Sequence, residues 1–538
     1  MRPFCGVLLF CALALASLMT VPAAGKTQIL FAQAVAYDSG GPHADSVVAA
    51  DLTGDGKLDL VLANACKGVD YLTCDDLSGE VDVLLGSGDG TFQPAVTYST
   101  GAYVAYSVAV GDLNGDGIPD LVVANYCGTL EYGGCDGQHG AVSVLLGNGD
   151  GTFQPAATYD SGGKGAYSVV IGDLNGDGIP DLAVTNTYDQ AGINGSVSVL
   201  LGNGDGTFKS AASYNTGGYV ATSVAIGDVN GDGIPDLIVA NFAQDQSAYG
   251  FAGVLLGNGD GTFQPAVLYG SGAEGAYSVA LGDLNGDGIL DLVVSDGGEA
   301  GTRKHSIVGV LLGNGDGTFR AAVTYVADGL EYGGYPEIGW GIDSLAVADV
   351  NGDGIPDLVV VEVCQSLSLY GVCNGSGQVN VMPGNGDGTF QSPVVYRSGG
   401  YEGSALAIAD VNCDGRPDLL VTNALATKND YNSGSVAVLL NKTSYTTKTS
   451  LTASPNPALV NQTVTLTATI TSNPPVSNGE TVTFSNGKAK LGTATTANGV
   501  ATLTTSFAKA GKHTLKATYP GDPFRKPSSG TVKQVVSP

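Results

Sequence analysis

The chain has 538 residues, and its 51 acidic side chains outnumber its 22 basic ones to give a formal net charge of −29. So acidic a protein is a poor partner for nucleic acids and for anionic membranes. The composition of 82 glycines, 43% apolar and only 14% charged residues is typical of many short strands joined by tight turns.

Residues 1–24 have the pattern of a secretory signal peptide. Arg2 provides a positive charge, an apolar run extends from Val7 to Leu18, and the small residues Ala23 and Ala24 follow. A membrane anchor fits less well because the run is short, and no later stretch is long enough to cross a bilayer. We therefore expect a monomeric protein without a membrane span that is secreted or held at the cell surface.

The most informative feature of the remaining chain is the nine-residue motif DLNGDGIPD, which occurs in seven close copies. The copies begin at Asp51, Asp112, Asp173, Asp228, Asp283, Asp349 and Asp410, between 55 and 66 residues apart by subtraction. A repeat of this length is one supersecondary unit, which cannot bury its apolar face alone.

Each repeat is predicted to form four strands. In the second repeat these strands are 107–112, 120–125, 141–147 and 154–159, separated by Gly-Asp and Gly-Asn turns. Proline at the start of the fourth strand of four repeats (residues 94, 155, 265 and 393) places that strand at the edge of its sheet, because proline cannot donate a ladder hydrogen bond.

The two ends of the array predict a closed ring. A GDGTF turn precedes the fourth strand in six repeats, whereas the last repeat stops at residue 441 without one. The missing strand is found at the other end, where residues 31–37 match residues 92–98. We predict an all-β seven-bladed β-propeller over residues 25–441, closed by the N-terminal strand.

The pattern changes after a polar linker at residues 442–448. Alternating, threonine-rich strands are predicted at 463–470, 481–487, 500–507 and 513–522. They indicate an immunoglobulin-like β-sandwich over residues 449–538.

Six cysteines fall into close pairs just after the second strand of their repeats, namely Cys66 with Cys74, Cys127 with Cys135, and Cys364 with Cys373. We expect each pair to form a local disulfide in an oxidising compartment. Zinc is a weaker interpretation because the spacing is not CxxC and no histidine is adjacent. Cys413 is left over and is predicted to be a free thiol.

The repeated motif offers the oxygen ligands that Ca²⁺ prefers. Side chains at positions 1, 3, 5 and 9 and the backbone carbonyl at position 7 are the predicted ligands, and the glycines at positions 4 and 6 permit the tight wrap. The seven sets are Asp51, Thr53, Asp55, Lys57, Asp59; Asp112, Asn114, Asp116, Ile118, Asp120; Asp173, Asn175, Asp177, Ile179, Asp181; Asp228, Asn230, Asp232, Ile234, Asp236; Asp283, Asn285, Asp287, Ile289, Asp291; Asp349, Asn351, Asp353, Ile355, Asp357; and Asp410, Asn412, Asp414, Arg416, Asp418.

The alternative is seven β-turns that bind no metal, but turns tolerate many sequences and do not fix five positions seven times over. A helix–loop–helix calcium hand is excluded because the flanks are strands and position 12 is apolar. The first and seventh loops depart most, through Thr53 and through Cys413 with Arg416. We expect up to seven structural Ca²⁺ ions, so that chelation lowers the melting temperature.

The GNGDGTF segments fit no phosphate-binding motif and are predicted to be β-turns whose phenylalanine packs between blades.

Stretches such as SVAVGDLNGDGIPDLVVAN resemble the FG-GAP repeats of integrin α-subunits and the VCBS repeats of secreted bacterial proteins. This resemblance implies Ca²⁺ on one face of a seven-bladed propeller. The tail, with HTLKATYPGD, resembles bacterial Ig-like domains. The resemblance does not define an activity, since related propellers include sugar-binding lectins and polysaccharide lyases.

The face opposite the metal loops is the predicted ligand site, because the variable second loops collect there with their aromatic residues. The candidates are Tyr126, Tyr132, Tyr332, Tyr335 and Trp340, although aromatic residues also pack their own loops. We expect an extracellular binding or adhesion protein for carbohydrate or a surface protein. The alternatives are a polysaccharide lyase or hydrolase, or a structural component. No catalytic constellation is recognised, since the four histidines are scattered.

Overall fold

The computed structural model describes residues 29–65, 78–128, 139–243, 249–298, 306–327, 342–362, 376–427 and 433–538. Of residues 130, 131, 134, 135, 298, 342 and 343 the backbone alone is described. These parts of the chain are all-β, and no helix within them is long and apolar enough to cross a membrane.

The repeat region contains strands β1 to β28. In chain order they are β1 Val35–Asp38, β2 Ala44–Ala50, β3 Asp59–Asn64, β4 Ser78–Leu84, β5 Val96–Gly111, β6 Asp120–Cys127, β7 Leu130–Glu131, β8 Gly134–Cys135, β9 Ala141–Leu145, β10 Ala157–Asp160, β11 Lys164–Gly172, β12 Asp181–Tyr188, β13 Ser196–Leu200, β14 Ala212–Asn215, β15 Ala221–Gly227, β16 Asp236–Asn241, β17 Tyr249–Leu255, β18 Val267–Gly282, β19 Asp291–Gly298, β20 Ile307–Leu311, β21 Val323–Val326, β22 Ile342–Ala348, β23 Asp357–Glu362, β24 Gln378–Met382, β25 Val394–Arg397, β26 Tyr401–Ala409, β27 Asp418–Leu425 and β28 Ser435–Leu439.

Each repeat forms an antiparallel meander, as β11-β12-β13-β14 and β22-β23-β24-β25 illustrate. Two sheets have seven strands because β5 and β18, of 16 residues each, serve both as the last strand of one repeat and as the first of the next. Separate strands are predicted at these places. Within β5, Gly101 and Val104 adopt left-handed φ angles of 72° and 57°, between the part that pairs mainly with β4 and the part that pairs with β6.

The burial of the strands follows their place in the meander. The second strand, such as β3 or β16, is buried at every residue, because neighbouring repeats cover both of its faces. The fourth strand, such as β10 or β14, lies at the edge of its sheet and is mainly exposed. The predicted edge position is therefore confirmed for the proline-led strands β10 and β25, whereas the strands that follow residues 94 and 265 are the first parts of β5 and β18, inside the seven-stranded sheets.

The N-terminal strand β1 pairs antiparallel with β28 of the last repeat, with Val35 opposite Val438, and forms the edge of the sheet β1-β28-β27-β26. First strands of successive repeats contact one another, and β2 of the first repeat also contacts β26 of the last. The hydroxyl of Ser404 in β26 donates a hydrogen bond to the carbonyl of Ala44 in β2. Architecture and sequence together fit a β-propeller.

The remaining strands are β29 Lys448–Ser454, β30 Ala458–Leu459, β31 Thr463–Thr471, β32 Thr481–Asn486, β33 Ala489–Thr495, β34 Val500–Ser506, β35 Gly511–Tyr519 and β36 Ser528–Ser537. They form a three-stranded sheet, β29-β31-β34, and a five-stranded sheet, β30-β36-β35-β32-β33. Strand β31 alternates buried and exposed residues, as a strand with one face on the core should. Phe484 and Tyr519 are fully buried in the core between the sheets. This C-terminal domain has the predicted immunoglobulin-like sandwich architecture.

Candidate functional site: the repeated acidic loops and the tyrosine cluster

The seven acidic loops connect the first strand of each repeat to the second. The second loop, between β5 and β6, is representative. Its first carboxylate, Asp112, accepts backbone N–H hydrogen bonds from Gly115, Asp116 and Gly117 at 2.8, 3.2 and 2.8 Å. Gly115 and Gly117 have φ angles of 75° and 82°, which wrap the backbone around this carboxylate.

Asp116 and Asn114 complete the exposed part of the loop. Asp116 Oδ1 accepts the N–H of Ile118 at 2.8 Å, and Asn114 Oδ1 accepts the N–H of Asp116 at 2.9 Å. The Asn114 amide donates to Asp116 Oδ2 at 3.0 Å. Position 5 therefore presents an exposed carboxylate that no basic side chain neutralises within the described residues.

The last carboxylate of each loop is buried and joins two segments of the backbone. Asp120 Oδ2 accepts the N–H of Leu113 at 3.0 Å, and its Oδ1 accepts the N–H of Gly147 in the following turn at 2.8 Å. Burial raises the pKa of Asp120; these two N–H groups oppose the rise, and the carboxylates of Asp116 and Asp112 add to it. Position 9 thus has a structural role that the prediction of a simple cation ligand does not include.

The same hydrogen bonds recur in the other loops. The position-9 residues Asp59, Asp181, Asp236, Asp291, Asp357 and Asp418 all accept the N–H of position 2. In the sixth loop, burial raises the pKa of Asp357 to about 8.

The donor set of these loops fits a hard cation, because each contains three carboxylates and six contain an asparagine amide close to a wrapped backbone. In the part of the chain that the structure describes, however, no three Asp, Glu, His or Cys side chains are gathered as a ready metal site. A cation would have to draw the carboxylates of positions 1, 5 and 9 together against their own repulsion.

The first and seventh loops have a basic side chain at position 7. Lys57 Nζ lies 2.6 Å from Asp55 Oδ2, and Arg416 Nη2 lies 2.5 Å from Asp414 Oδ2. The hydrogen bond from Lys57 lowers the pKa of Asp55.

Two cysteines have described side chains. Cys127 is disulfide-bonded and fully buried. Its predicted partner Cys135 is described by its backbone alone, in the ribbon β7-β8.

Cys413 is also disulfide-bonded, so the prediction of a free thiol is wrong. It stands at position 4 of its loop, where the other six loops have glycine, and adopts a left-handed φ of 56°. Cys66, Cys74, Cys364 and Cys373 lie outside the described residues.

The six GNGDGTF-type turns lie beside the acidic loops. The N–H of Gly206, for example, donates to the carbonyl of Leu113 in the preceding repeat at 3.2 Å. The first glycine of each turn has no room for a side chain, and a Cβ on Gly147 would lie 2.3 Å from the carbonyl oxygen of Pro119. This close approach is not predicted from the sequence, in which only the repetition of glycine at that position could have indicated it.

The phenylalanine of each turn forms an edge-to-face pair with a tyrosine of a neighbouring repeat, at ring-centroid distances of 5.3 to 5.8 Å. The pairs are Tyr37–Phe92, Tyr98–Phe153, Tyr159–Phe208, Tyr214–Phe263, Tyr269–Phe319, Tyr325–Phe390 and, with the N-terminal segment, Tyr396–Phe31. The prediction that these rings pack between repeats is confirmed.

Tyrosines collect at the other end of the sheets. Because β5 and β6 are antiparallel, with Ala105 opposite Asn125, the start of a first strand and the end of a second strand lie away from the acidic loop that joins them. The Tyr106 ring lies 5.7 Å from that of Tyr126 and 4.8 Å from that of Tyr167 in the next repeat.

The cluster continues into the following repeats. The Tyr188 ring lies 5.5 Å from that of Tyr219, and the Phe242 ring lies 5.4 Å from that of Tyr277. Burial, followed by the charge and hydroxyl of Tyr219, raises the pKa of Tyr188. We call Tyr106, Tyr126, Tyr167, Tyr188 and Tyr219 the tyrosine cluster. Tyr167 and Tyr219 remain 38% and 39% exposed, so that the cluster is open to solvent.

Of the five predicted ligand residues, only Tyr126 has a described side chain, and the structure brings it into this cluster. Tyr132, Tyr332, Tyr335 and Trp340 lie outside the described side chains. The other cluster members, Tyr106, Tyr167, Tyr188 and Tyr219, come from four places in the sequence. In the sequence, only the position of each tyrosine relative to the acidic loop of its repeat could have indicated that these residues lie close together.

Comparison with known proteins agrees with the repeat assignment. The FG-GAP-like repeat model matches residues 68–123, 129–184, 190–239, 242–294, 299–360 and 369–421, which together exceed half of the chain. A second model, FG-GAP repeat, matches residues 104–145. The model of a bacterial Ig-like domain (group 3) matches residues 451–537.

Curated relatives include integrin alpha-V of Gallus gallus, which is 30% identical over 39% of this chain and 21% of its own length. Integrin alpha pat-2 of Caenorhabditis elegans is 29% identical over 46% of this chain and 20% of its own length. The chain thus spans about a fifth of the length of these relatives. Among solved structures, the exotype rhamnogalacturonan lyase YesX is 13% identical with a TM-score of 0.42, and covers 75% of each chain. With its six matched segments, the chain belongs to the FG-GAP-like repeat family.

Proposed function

We propose that residues 29–441 form a seven-bladed β-propeller whose acidic loops bind Ca²⁺ on one face and whose tyrosine cluster binds carbohydrate outside the cell. The closed ring is supported by the pairing of β1 with β28 and by the seven tyrosine–phenylalanine contacts. Such a ring requires the N-terminal strand to complete the last blade.

The cation proposal is supported by the donor chemistry. Oxygens at positions 1, 3, 5 and 9 recur in loops held by glycines in left-handed conformation. Bound Ca²⁺ would neutralise the carboxylates that the loop concentrates. Asp112 and its equivalents order the loop backbone, and Asp120 and its equivalents connect the loop to the neighbouring turn.

The single observation that carries the ligand proposal is the exposed tyrosine cluster. Five tyrosines from three consecutive repeats lie together on a rigid scaffold, away from the acidic loops. Aromatic faces stack on the apolar faces of sugar rings, and phenol hydroxyls supply hydrogen bonds beside them. An uncharged polyol also suits a protein with a net charge of −29 better than a polyanion does.

A glycan-array screen of the full chain in millimolar Ca²⁺ tests this proposal. We expect saturable binding to a neutral glycan, at least tenfold weaker in Tyr167→Ala and Tyr219→Ala. Tyr249→Ala is the matched control, because this tyrosine is 52% exposed and makes no ring contact within the described residues.

Binding that persists in both cluster variants would contradict the assignment of the site. Depolymerisation of the bound glycan would instead indicate a lyase or hydrolase. No binding by a chain with an intact circular-dichroism spectrum would favour a protein partner or a structural role.

A further inference from the structure

Two of the seven acidic loops differ from the others at position 7. The second to sixth loops have isoleucine there, whereas the first has Lys57 and the seventh has Arg416. Position 7 was predicted to contribute only its backbone carbonyl, so this difference does not change the predicted set of ligand atoms. It does change the charge beside them.

The two basic side chains bind the carboxylate at position 5 of their own loops. Lys57 donates to Asp55 at 2.6 Å. Arg416 contacts both oxygens of Asp414 through Nε and Nη2, at 3.2, 3.2 and 2.5 Å, and its Nη1 donates to the carbonyl of Thr443 at 3.2 Å. Within the described residues, the position-5 carboxylates of the other five loops make no ion pair.

In the first loop, lysine takes the place of isoleucine over the following turn. The Ile118 side chain lies over the following turn, and a Cβ on Gly149 would be 3.3 Å from its Cδ1. The Lys57 stem occupies the equivalent place, where a Cβ on Gly88 would be 2.8 Å from its Cδ. Lysine therefore fills the space of isoleucine with its methylenes and adds an ammonium group over the loop.

The affinity of a Ca²⁺ loop depends on the number of free ligand charges. A fixed cation within 3 Å of one carboxylate occupies a ligand oxygen and repels a divalent ion. The first loop also lacks the asparagine amide, since Thr53 stands at position 3. In the seventh loop, the disulfide of Cys413 provides a further tether.

We propose that Lys57 and Arg416 act as built-in counter-cations, so that the first and seventh loops keep their fold without metal and only the second to sixth loops take a divalent cation. This inference rests on the proposed cation binding. The two loops flank the place where β1 completes the last sheet. The junction between the first and last repeats would therefore stay folded at any calcium concentration, whereas the stability of the other repeats would depend on the calcium concentration.

The test is the number of Ca²⁺ ions bound per full chain, measured by equilibrium dialysis with radioactive calcium. We expect five for the unmodified protein. Lys57→Ile and Arg416→Ile, which restore the residue of the other loops, should each raise the number by one, and the double variant should bind seven. Ile118→Lys is the matched control in the opposite direction and should bind four.

Seven ions on the unmodified chain would overturn the inference, as would five ions on both isoleucine variants. Lys57→Met, which keeps a flexible stem without the charge, gives the same readout should the branched side chain impair folding. Binding of no ion by the unmodified chain or by the variants would contradict the cation proposal itself, and this outcome differs from each of the others.

Discussion

At the scale of single residues, Asp296 occupies a place where five of the other six repeats have an amide. The sixth residue of the second strand is asparagine in five repeats, at positions 64, 125, 186, 241 and 423. Asn241 shows its role, because it accepts a hydrogen bond from the Thr216 hydroxyl at 2.5 Å and donates to the carbonyl of Val239 at 3.1 Å.

The carboxylate of Asp296 cannot reproduce this pattern. It is fully buried, and neither of its oxygens makes a hydrogen bond of normal geometry within the described residues. Burial raises the pKa of Asp296 to about 8, although the Ser271 hydroxyl beside it opposes the rise. The unfolded chain has an ordinary aspartate, so the folded state binds the proton more tightly. Its stability therefore falls as the pH rises from about 4 through about 8.

Asp296→Asn should stabilise the protein, since an amide can donate to the strand carbonyl and carries no charge to bury. We expect a gain of about 1–3 kcal/mol above pH 8, shrinking towards pH 4. Calorimetric melting of both proteins from pH 4 to 9 at fixed Ca²⁺ measures it. Asn241→Asp should instead lose stability, and this loss should grow as the pH rises. A pH-independent gain in Asp296→Asn would contradict the explanation.

At the scale of structural elements, the sequence predicted the turns and the packing of their phenylalanine rings, but not the contact of each turn with the acidic loop. Glycine-rich segments and the repeated phenylalanine predicted turns with rings between repeats, as found. The close contact of the first glycine with the acidic loop could not be predicted, because it depends on how two segments about 30 residues apart meet. The long strands β5 and β18 were missed for the same reason: local sequence predicts where a strand can form, but not that two repeats share one.

Gly147→Ala tests the packing of turn on loop. The new methyl would lie 2.3 Å from the Pro119 carbonyl oxygen and separate the turn from Asp120, so we expect a loss of about 1–3 kcal/mol. Urea unfolding monitored by fluorescence measures the change. Gly128→Ala is the control, because its Cβ would meet Ala141 at an ordinary 3.4 Å. Equal stability of the two variants would show that the turn does not depend on this contact.

At the scale of the whole molecule, the C-terminal domain is docked on the face that carries the acidic loops. Arg525 Nη2 donates to the carbonyl of Gly352 in the sixth loop at 2.9 Å, and Phe524 lies against the same glycine. Asn351 is fully buried there, although its equivalent Asn114 is only partly buried.

The segment predicted to be a linker, residues 442–448, is part of this interface together with Asn441 just before it. Asn441 and Thr443 are fully buried, and the Asn441 amide donates to the carbonyl of Val350 at 2.7 Å. The Tyr445 hydroxyl is buried without a hydrogen-bond partner in the described structure, and burial and then the charges of Asp353 and Asp357 raise its pKa. Polar composition predicted a spacer, and only the folded arrangement shows that the chain at its start is buried and that the Asn441 amide binds the backbone of the sixth repeat.

Gly352→Ala tests this docking. A Cβ at this position would lie 2.4 Å from the Phe524 ring, whereas Gly115, at the same loop position with the same φ of 75°, has open space around it. We expect Gly352→Ala to release the domain and increase the radius of gyration in X-ray scattering. Gly115→Ala carries the same backbone strain and should leave it unchanged. Identical scattering of both variants and the unmodified chain would contradict rigid docking.

We propose that Ca²⁺ in the acidic loops holds the propeller together, and calorimetric melting of the full chain in 2 mM Ca²⁺ and in excess EDTA tests this most directly. At about tenfold above its Kd, each ion stabilises the folded state by roughly 1.4 kcal/mol. Five such ions would contribute about 7 kcal/mol, as much as a typical domain's whole stability. We predict that EDTA lowers the melting temperature of the propeller transition by at least about 10 °C, because a loss of free energy of that size produces a shift of this order. The transition of the C-terminal domain, which has no such loop among its described residues, should change far less. An unchanged propeller transition in EDTA would contradict the claim and leave the loops as turns held by their own hydrogen bonds.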